Sequence, residues 1–116
     1  MFSEEDRARE WIADIIAECD RVASYVAGMA FERFAADGLV RDAVERCLLR
    51  IAEAATRLGP ERLTRIAPEA PLHTLRGLGN RLRHEYERVN AEIVWRTVEN
   101  DLPMLRRRCA AALAEG

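Results

Sequence analysis

Apolar residues recur at helical spacing through most of the chain, and no segment shows the alternation that is typical of a β-strand. The first run opens after Ser3, which stands three residues before Asp6 in the order of a capping box, and it closes at Gly28. Its apolar positions share one helical stripe, formed by Ile12, Ile15, Ile16, Cys19, Val22, Ala23 and Val26. The pattern predicts a long amphipathic first helix.

A second long amphipathic helix follows a short one. Residues 31–36 predict a short helical segment, and Asp37–Gly38 breaks it. The next stripe ends at Gly59–Pro60, where a helix would stop. Its apolar positions are Val40, Ala43, Val44, Cys47, Leu48, Ile51, Ala55 and Leu58. This is the clearest amphipathic pattern in the chain.

Prolines indicate where elements begin and end in the middle of the chain. Pro60 is suited to the first position of one further helical turn that reaches Ile66, and Pro68 and Pro71 predict an extended connection. A third helical pattern then runs over about residues 72–89. Its apolar face consists of Leu75, Leu78, Leu82, Tyr86 and Val89, and Gly77 and Gly79 interrupt it. Because glycine is a weak helix former, this helix is expected to begin or bend at these two residues.

The last segment completes the predicted fold. Asn90 is a suitable N-cap, and Pro103 is expected to kink or divide the helix that follows. The positions expected to face inward are Ile93, Val94, Val98, Leu102, Leu105, Cys109 and Leu113. The chain therefore predicts an all-α antiparallel bundle of four principal helices with short connectors.

Composition adds limits to this picture. A chain of 116 residues and 13.2 kDa fits one domain, which we expect to span residues 1–116. The net charge of −2 excludes a globally basic nucleic-acid coat or a polybasic membrane anchor. The start of the chain is acidic, and no apolar run approaches the length of a spanning helix, so we expect a cytoplasmic protein. All eighteen basic residues are arginines, which is typical of a GC-rich bacterial genome.

The cysteines and histidines indicate neither a metal site nor a nucleophile. Cys19, Cys47 and Cys109 are widely spaced among apolar helical residues, so we interpret them as reduced, buried thiols. The spacing of His73 and His84 matches neither a zinc site nor the Glu-x-x-His pair of ferritin-like bundles. No metal and no cofactor is predicted.

One helix face in the third pattern carries candidate chemistry. Arg76, Asn80, His84 and Arg88 follow one another at a spacing of four residues, opposite the apolar stripe. Residues 76–88 hold four arginines against two glutamates, whereas residues 3–20 hold seven acids against two arginines. Such segregation suits a local phosphate site. The plainer alternative is a solvated helix face, and the arginines alone do not decide between the two.

Aromatic residues allow two interpretations. A stacking platform for nucleobases is one, and core or interface packing, which we prefer at this helical spacing, is the other. The residues concerned are Trp11, Tyr25, Phe31, Phe34 and Trp95.

Several stretches together resemble the HepT-like HEPN ribonuclease toxins. The opening resemblance lies in DRVASYVAGM at residues 20–29, FERF at 31–34, RDAVER at 41–46 and IAEAA at 51–55. The signature stretch is GLGNRLRHEY at residues 77–86, and residues 89–95 and 100–103 resemble the start of the family's C-terminal helix. The resemblance covers nearly the whole chain.

The resemblance implies a metal-independent endoribonuclease of a bacterial toxin–antitoxin pair. It implies an all-α homodimer whose two signature motifs meet at the interface, and an antitoxin similar to a minimal nucleotidyltransferase. In such pairs the antitoxin can transfer AMP to the motif tyrosine, which here is Tyr86. His84 would be the general acid or base, with Asn80 and Arg76 as orienting or phosphate-binding groups. RNA contacts are expected from Arg81, Arg83 and Arg88.

The family motif places an arginine five residues before the histidine, and this chain has Gly79 there. Another arginine would then have to hold the charge that develops on phosphorus, and Arg76 is the first candidate. The alternative is a catalytically degenerate HEPN protein that keeps only dimerisation and antitoxin binding. A third interpretation is a helical dimer with no role in nucleic-acid chemistry.

Overall fold

A computed structural model describes residues 2–69 and 91–115 of this chain. Pro71, the predicted third helix over residues 72–89 and the predicted cap at Asn90 lie outside these residues. Within the described part, every regular element is a helix, as the sequence pattern predicts.

The first helix, α1, spans Glu4–Tyr25 and starts at the predicted capping box. The Ser3 hydroxyl accepts a hydrogen bond from the Asp6 backbone N–H at 3.1 Å, and the Asp6 carboxylate accepts one from the Ser3 N–H at 3.1 Å. The last helical residue is Tyr25, Val26 is the C-cap, and the chain turns at Gly28, whose φ of +77° suits glycine. The predicted start is confirmed, and the helix ends three residues before the predicted stop.

Helices α2 (Phe31–Ala36) and α3 (Gly38–Leu58) are separated by one residue, Asp37. The Asp37 carboxylate accepts a hydrogen bond from the Val40 N–H at 3.1 Å, which caps α3. The helix α3 ends at Gly59, whose φ is +85°, and Pro60 opens α4 (Pro60–Ile66). All three helices lie where the sequence predicts them. The chain then forms a turn at Pro68 instead of the predicted extended connection.

The C-terminal segment is one helical run with a π-helical turn inside it. Helix α5 (Ala91–Arg96) leads into the π-helix Thr97–Asp101 and then into α6 (Leu102–Ala114). The Leu102 N–H donates to the Thr97 carbonyl, five residues back. Pro103 follows directly and has no N–H to donate. The predicted division of the last helix at Pro103 is confirmed, because α6 begins at Leu102 with Pro103 in its first turn, directly after the π-helical turn.

Helix α1 runs antiparallel to both α3 and α6. Cross-contacts join Trp11 to Arg57 and Glu18 to Arg50 on α3, so residue numbers rise along one helix as they fall along the other. Asp20 contacts Arg106, and Arg9 donates to the carbonyl of Leu113 on α6, in the same reversed order. The described part is therefore an antiparallel bundle, which confirms the predicted architecture.

A shared hydrophobic core lies between these helices. The residues fully buried in it include Ile15, Phe34, Val44, Ile51, Ala55 and Cys109, each 0% exposed. Some predicted core positions lie at the edge of their stripe: Ile16, Ile93 and Leu113 are half-buried, and Ala23 is exposed. A stripe inferred from helical spacing is wider than the strip that neighbouring helices cover.

No described helix has the length and hydrophobicity needed to span a membrane.

The Asp37 cap gives a test of the fold. Replacing Asp37 with Ala removes the side-chain acceptor of the Val40 N–H and should lower the free energy of unfolding by about 1 kcal/mol. Asp42→Ala, at an exposed position inside the same helix, should change it by less than about 0.5 kcal/mol. Urea unfolding followed by circular dichroism measures both. Equal effects of the two changes would contradict the assigned start of α3.

Candidate functional site

The predicted site residues lie in the stretch 70–90, outside the described residues. They are Arg76, Asn80, Arg81, Arg83, His84, Tyr86 and Arg88, together with Gly79. The structure therefore shows how the bundle holds the two ends of this stretch, and the roles of these residues stay predictions.

Both ends of the stretch are attached to the bundle. On the entry side, Leu63 and Ala67 are each 1% exposed, and the carboxylate of Glu69 pairs with the guanidinium of Arg108 on α6. That ion pair lowers the pKa of Glu69 below its ordinary value. On the exit side, Val94 is buried in the first turns of α5. The described residues on both sides of the predicted signature stretch are thus packed into the bundle.

An apolar groove of about 410 Å³ lies between the second half of α1 and the π-helical turn. Val26, Met29, Trp95 and Leu102 line it. The ring of Trp95 is tilted by 38° against that of Phe34, with 4.9 Å between the centroids, so its orientation is fixed by core packing.

An ion pair with two hydrogen bonds stands at the rim of this groove. Arg106 Nε donates to Asp20 Oδ1 at 2.6 Å, and Arg106 Nη2 donates to Asp20 Oδ2 at 3.2 Å. These hydrogen bonds lower the pKa of Asp20 and raise the pKa of Arg106. The pair joins α1 to α6 across 86 residues of sequence, and no local pattern in the sequence indicates it.

The π-helical turn places a partly buried carboxyl group beside the core. The Thr97 hydroxyl donates to the Ile93 carbonyl at 3.1 Å, which satisfies its polar group inside the helix. Asp101 ends the turn, its side chain forms no capping hydrogen bond, and burial raises its pKa. The partial burial of Asp101 was not predicted from the sequence, because it follows from the π-helical turn, which the pattern does not predict.

The aromatic residues divide between the two interpretations. Phe34 is fully buried, and Trp11 and Trp95 are half-buried against the core, so core packing is confirmed for these three. Tyr25 is 40% exposed, so core packing is wrong for it, and Phe31 is half-buried at the start of α2.

The three cysteines are free and buried, as predicted. Burial raises the pKa of Cys19 to about 12 and the pKa values of Cys47 and Cys109 to about 11. A hydrogen bond with the Glu18 carboxylate raises the pKa of Cys47 further. At neutral pH these are protonated thiols and poor nucleophiles. Among residues 2–69 and 91–115, no three His, Cys, Asp or Glu side chains stand close enough to hold a metal ion.

In the described residues the fold is a small all-α bundle, and its C-terminal helix contains a π-helical turn. The model of the family described as "Ribonuclease HepT-like" matches residues 15–112, most of the chain. The chain belongs to the HepT-like ribonuclease family, which confirms the resemblance seen in the sequence.

Relatives with similar length support this assignment. A protein of Caldanaerobacter subterraneus subsp. tengcongensis named "Putative RNase" is 31% identical over 100 residues, which are 86% of this chain and 88% of the relative. "Probable ribonuclease HepT" of Thermococcus cleftensis is 29% identical over 98 residues, covering 84% and 88% of the two chains. A "Putative RNase" of Methanocaldococcus jannaschii is 27% identical over 99 residues, covering 85% and 81%. No solved structure matches this chain.

Asp101 gives a pH-dependent test. Because its folded-state pKa is raised, the charged carboxylate opposes folding above that pKa, and the penalty disappears below the ordinary value of about 3.9. Asp101→Asn should therefore increase the free energy of unfolding by about 0.5 kcal/mol at pH 7, a small effect since the group is partly solvated. The gain should vanish near pH 3.

Urea unfolding at the two pH values measures this difference. Glu99→Gln, at an exposed position in the same turn, is the matched control and should show no such pH-dependent gain. A gain for Asp101→Asn that is equal at pH 7 and pH 3 would show that burial of the charge is not its cause.

Proposed function

We propose that this chain is a metal-independent endoribonuclease toxin that an antitoxin of the nucleotidyltransferase type silences. The observation that carries the proposal is the family match, because it runs through the signature stretch with His84 and Tyr86. The names of the relatives, which describe RNases, support the same reaction class. We further propose that residues 1–116 form one domain that acts in the cytoplasm.

The proposed reaction is RNA cleavage by attack of the 2′-hydroxyl on the adjacent phosphorus. It needs a base at the 2′-hydroxyl, an acid at the leaving 5′-oxygen and a cation near the phosphorus. We assign the proton transfers to His84, and we propose a homodimer in which two copies of His84 divide this work across a two-fold axis. Asn80 orients the phosphate, and Arg76 supplies the positive charge in place of the motif arginine that Gly79 replaces. Arg81, Arg83 and Arg88 hold the RNA backbone.

The buried thiols are consistent with this assignment of roles. Cys19, Cys47 and Cys109 are protonated and shielded, so none of them competes with His84 as the reactive group.

Cleavage of a labelled RNA in EDTA by the purified chain tests the reaction. We expect cleavage by the natural sequence and a loss of about 100-fold or more in His84→Ala, because general acid–base catalysis contributes about 10²–10⁴. Arg76→Ala should lose a similar factor, since it removes the proposed charge donor. Sedimentation should show each variant at the mass of two 13.2 kDa chains, so that a loss of rate is separated from a loss of assembly.

The same assay decides on the second candidate, a degenerate HEPN protein, which Gly79 favours. Gly79→Arg restores the motif arginine and, if this candidate is right, it alone cleaves RNA. Cleavage by the natural sequence that depends on Arg76 would exclude the degenerate protein.

Tyr86 is proposed as the position that the antitoxin modifies. Co-expression with a nucleotidyltransferase antitoxin should add the mass of AMP to the chain and should abolish cleavage. The Tyr86→Phe chain should gain no such mass and should still cleave RNA after co-expression. Intact-mass spectrometry and the cleavage assay measure these outcomes. Addition of AMP to the Tyr86→Phe chain would place the modification elsewhere, and Tyr25, which is exposed, is the control position for a second variant.

A further inference from the structure

A second groove lies on the bundle between the first half of α1, the end of α3 and α4. Its volume of about 540 Å³ falls within the range of roughly 300–1,000 Å³ that small-ligand sites occupy. Its charged and aromatic lining consists of Glu4, Arg7, Trp11, Glu53, Arg57 and Arg62. None of these residues belongs to the predicted signature stretch.

A cation–π stack forms one side of this groove. The Arg57 guanidinium carbon lies 5.2 Å from the centroid of the Trp11 ring, and Arg57 Nε donates to Glu53 Oε1 at 3.1 Å. The ring below and the carboxylate beside it together hold the guanidinium in place. The Arg57 side chain is still 56% exposed. A planar guanidinium held in this way offers a stacking surface for a nucleobase.

The groove also holds one cation that has no ion-pair partner among the described residues. Its lining has three guanidinium groups, those of Arg7, Arg57 and Arg62, and two carboxylates, those of Glu4 and Glu53. Arg62 pairs with Glu5 at 2.9 Å, and Arg57 pairs with Glu53. Arg7 forms no ion pair with a described residue. Its charge is therefore available to a phosphate.

We propose that this groove is an RNA-binding subsite that holds one nucleotide of a single strand and is formed by residues other than the predicted cleavage residues. The base stacks on the face of the Arg57 guanidinium that points away from Trp11, so that the guanidinium lies between the Trp11 ring and the base. The phosphate binds to Arg7, and the Glu4 carboxylate accepts hydrogen bonds from base N–H groups. The inference rests on the proposed ribonuclease function, since it extends the substrate contacts of that enzyme.

A charge-reversal pair tests the phosphate contact. The probe is a fluorescently labelled single-stranded RNA of about 12 nucleotides, a length within the usual site sizes. Its 2′-O-methyl groups block cleavage. Arg7→Glu should raise its Kd by about 5- to 10-fold and reduce the slope of log K against log salt by about 0.7, the loss of one phosphate contact. Arg33→Glu, at an exposed position on α2, changes the net charge equally and should leave both quantities unchanged.

A charge-conserving pair tests the stack. Arg57→Lys keeps the positive charge but loses the planar group, so it should raise the Kd about 3- to 10-fold. Arg7→Lys should bind RNA like the natural chain, because a phosphate accepts hydrogen bonds from either cation. Equal Kd values for the two lysine variants would overturn the stacking role of Arg57.

The remaining outcomes separate this inference from the proposed function. If Arg7→Glu and Arg33→Glu weaken binding equally, binding follows net charge, and the subsite is wrong although the chain can still be a ribonuclease. If the natural chain binds the probe through Arg7 and Arg57 but cleaves no RNA, the subsite stands and the proposed function fails. If it neither binds nor cleaves RNA, both are wrong.

Discussion

The antiparallel packing of α1 along α3 and α6 is the interaction on which the rest of the described structure depends. Ile15, Val44 and Ile51 are completely buried in it, and burial of each such side chain contributes about 1.5–3 kcal/mol. Because neighbouring residues on a helix point about 100° apart, a shift of one residue would turn polar positions into this core. The core thus fixes the register. The cross-helix contacts of Glu18 with Arg50 and of Asp20 with Arg106 follow from that register.

The π-helical turn is a second consequence of the same core. Val94, Val98 and Leu102 are buried at successive intervals of four residues, and each such interval drifts by about 40° around a regular α-helix. A wider turn over Thr97–Asp101 reduces this drift, so that the buried positions before and after it face the same core. Pro103 suits the end of that turn, because the helical backbone hydrogen bonds are already interrupted there and the missing N–H of proline costs little. The proline and the spacing of the apolar residues therefore favour the same local structure.

The sequence predicted those features that short stretches of chain determine. Asp37, Gly59 and Pro60 act on backbone groups within a few residues, and the bounds of α2, α3 and α4 were predicted for that reason. The π-turn was not predicted, because the spacing of Val94, Val98 and Leu102 favours it only once all three side chains pack against the same core. The stack of Arg57 on Trp11 joins residues far apart in the chain, and only the tertiary register brings them together. For the candidate site, the identity of the residues came from the resemblance, and the described residues show the bundle that holds both ends of their stretch.

Pairing between helices changes what the charge pattern means for RNA binding. By sequence, α1 is strongly acidic, and seven acids over residues 3–20 would repel a phosphate backbone. In the structure, Glu5 pairs with Arg62, Glu18 with Arg50, and Asp20 with Arg106, each from a different helix. Paired charges of opposite sign have a field that falls quickly, within a screening length of about 8 Å at physiological salt. Arginines of α3, α4 and α6 therefore neutralise three of the seven acids in residues 3–20, so the sequence count alone overstates how strongly this part of the surface repels RNA.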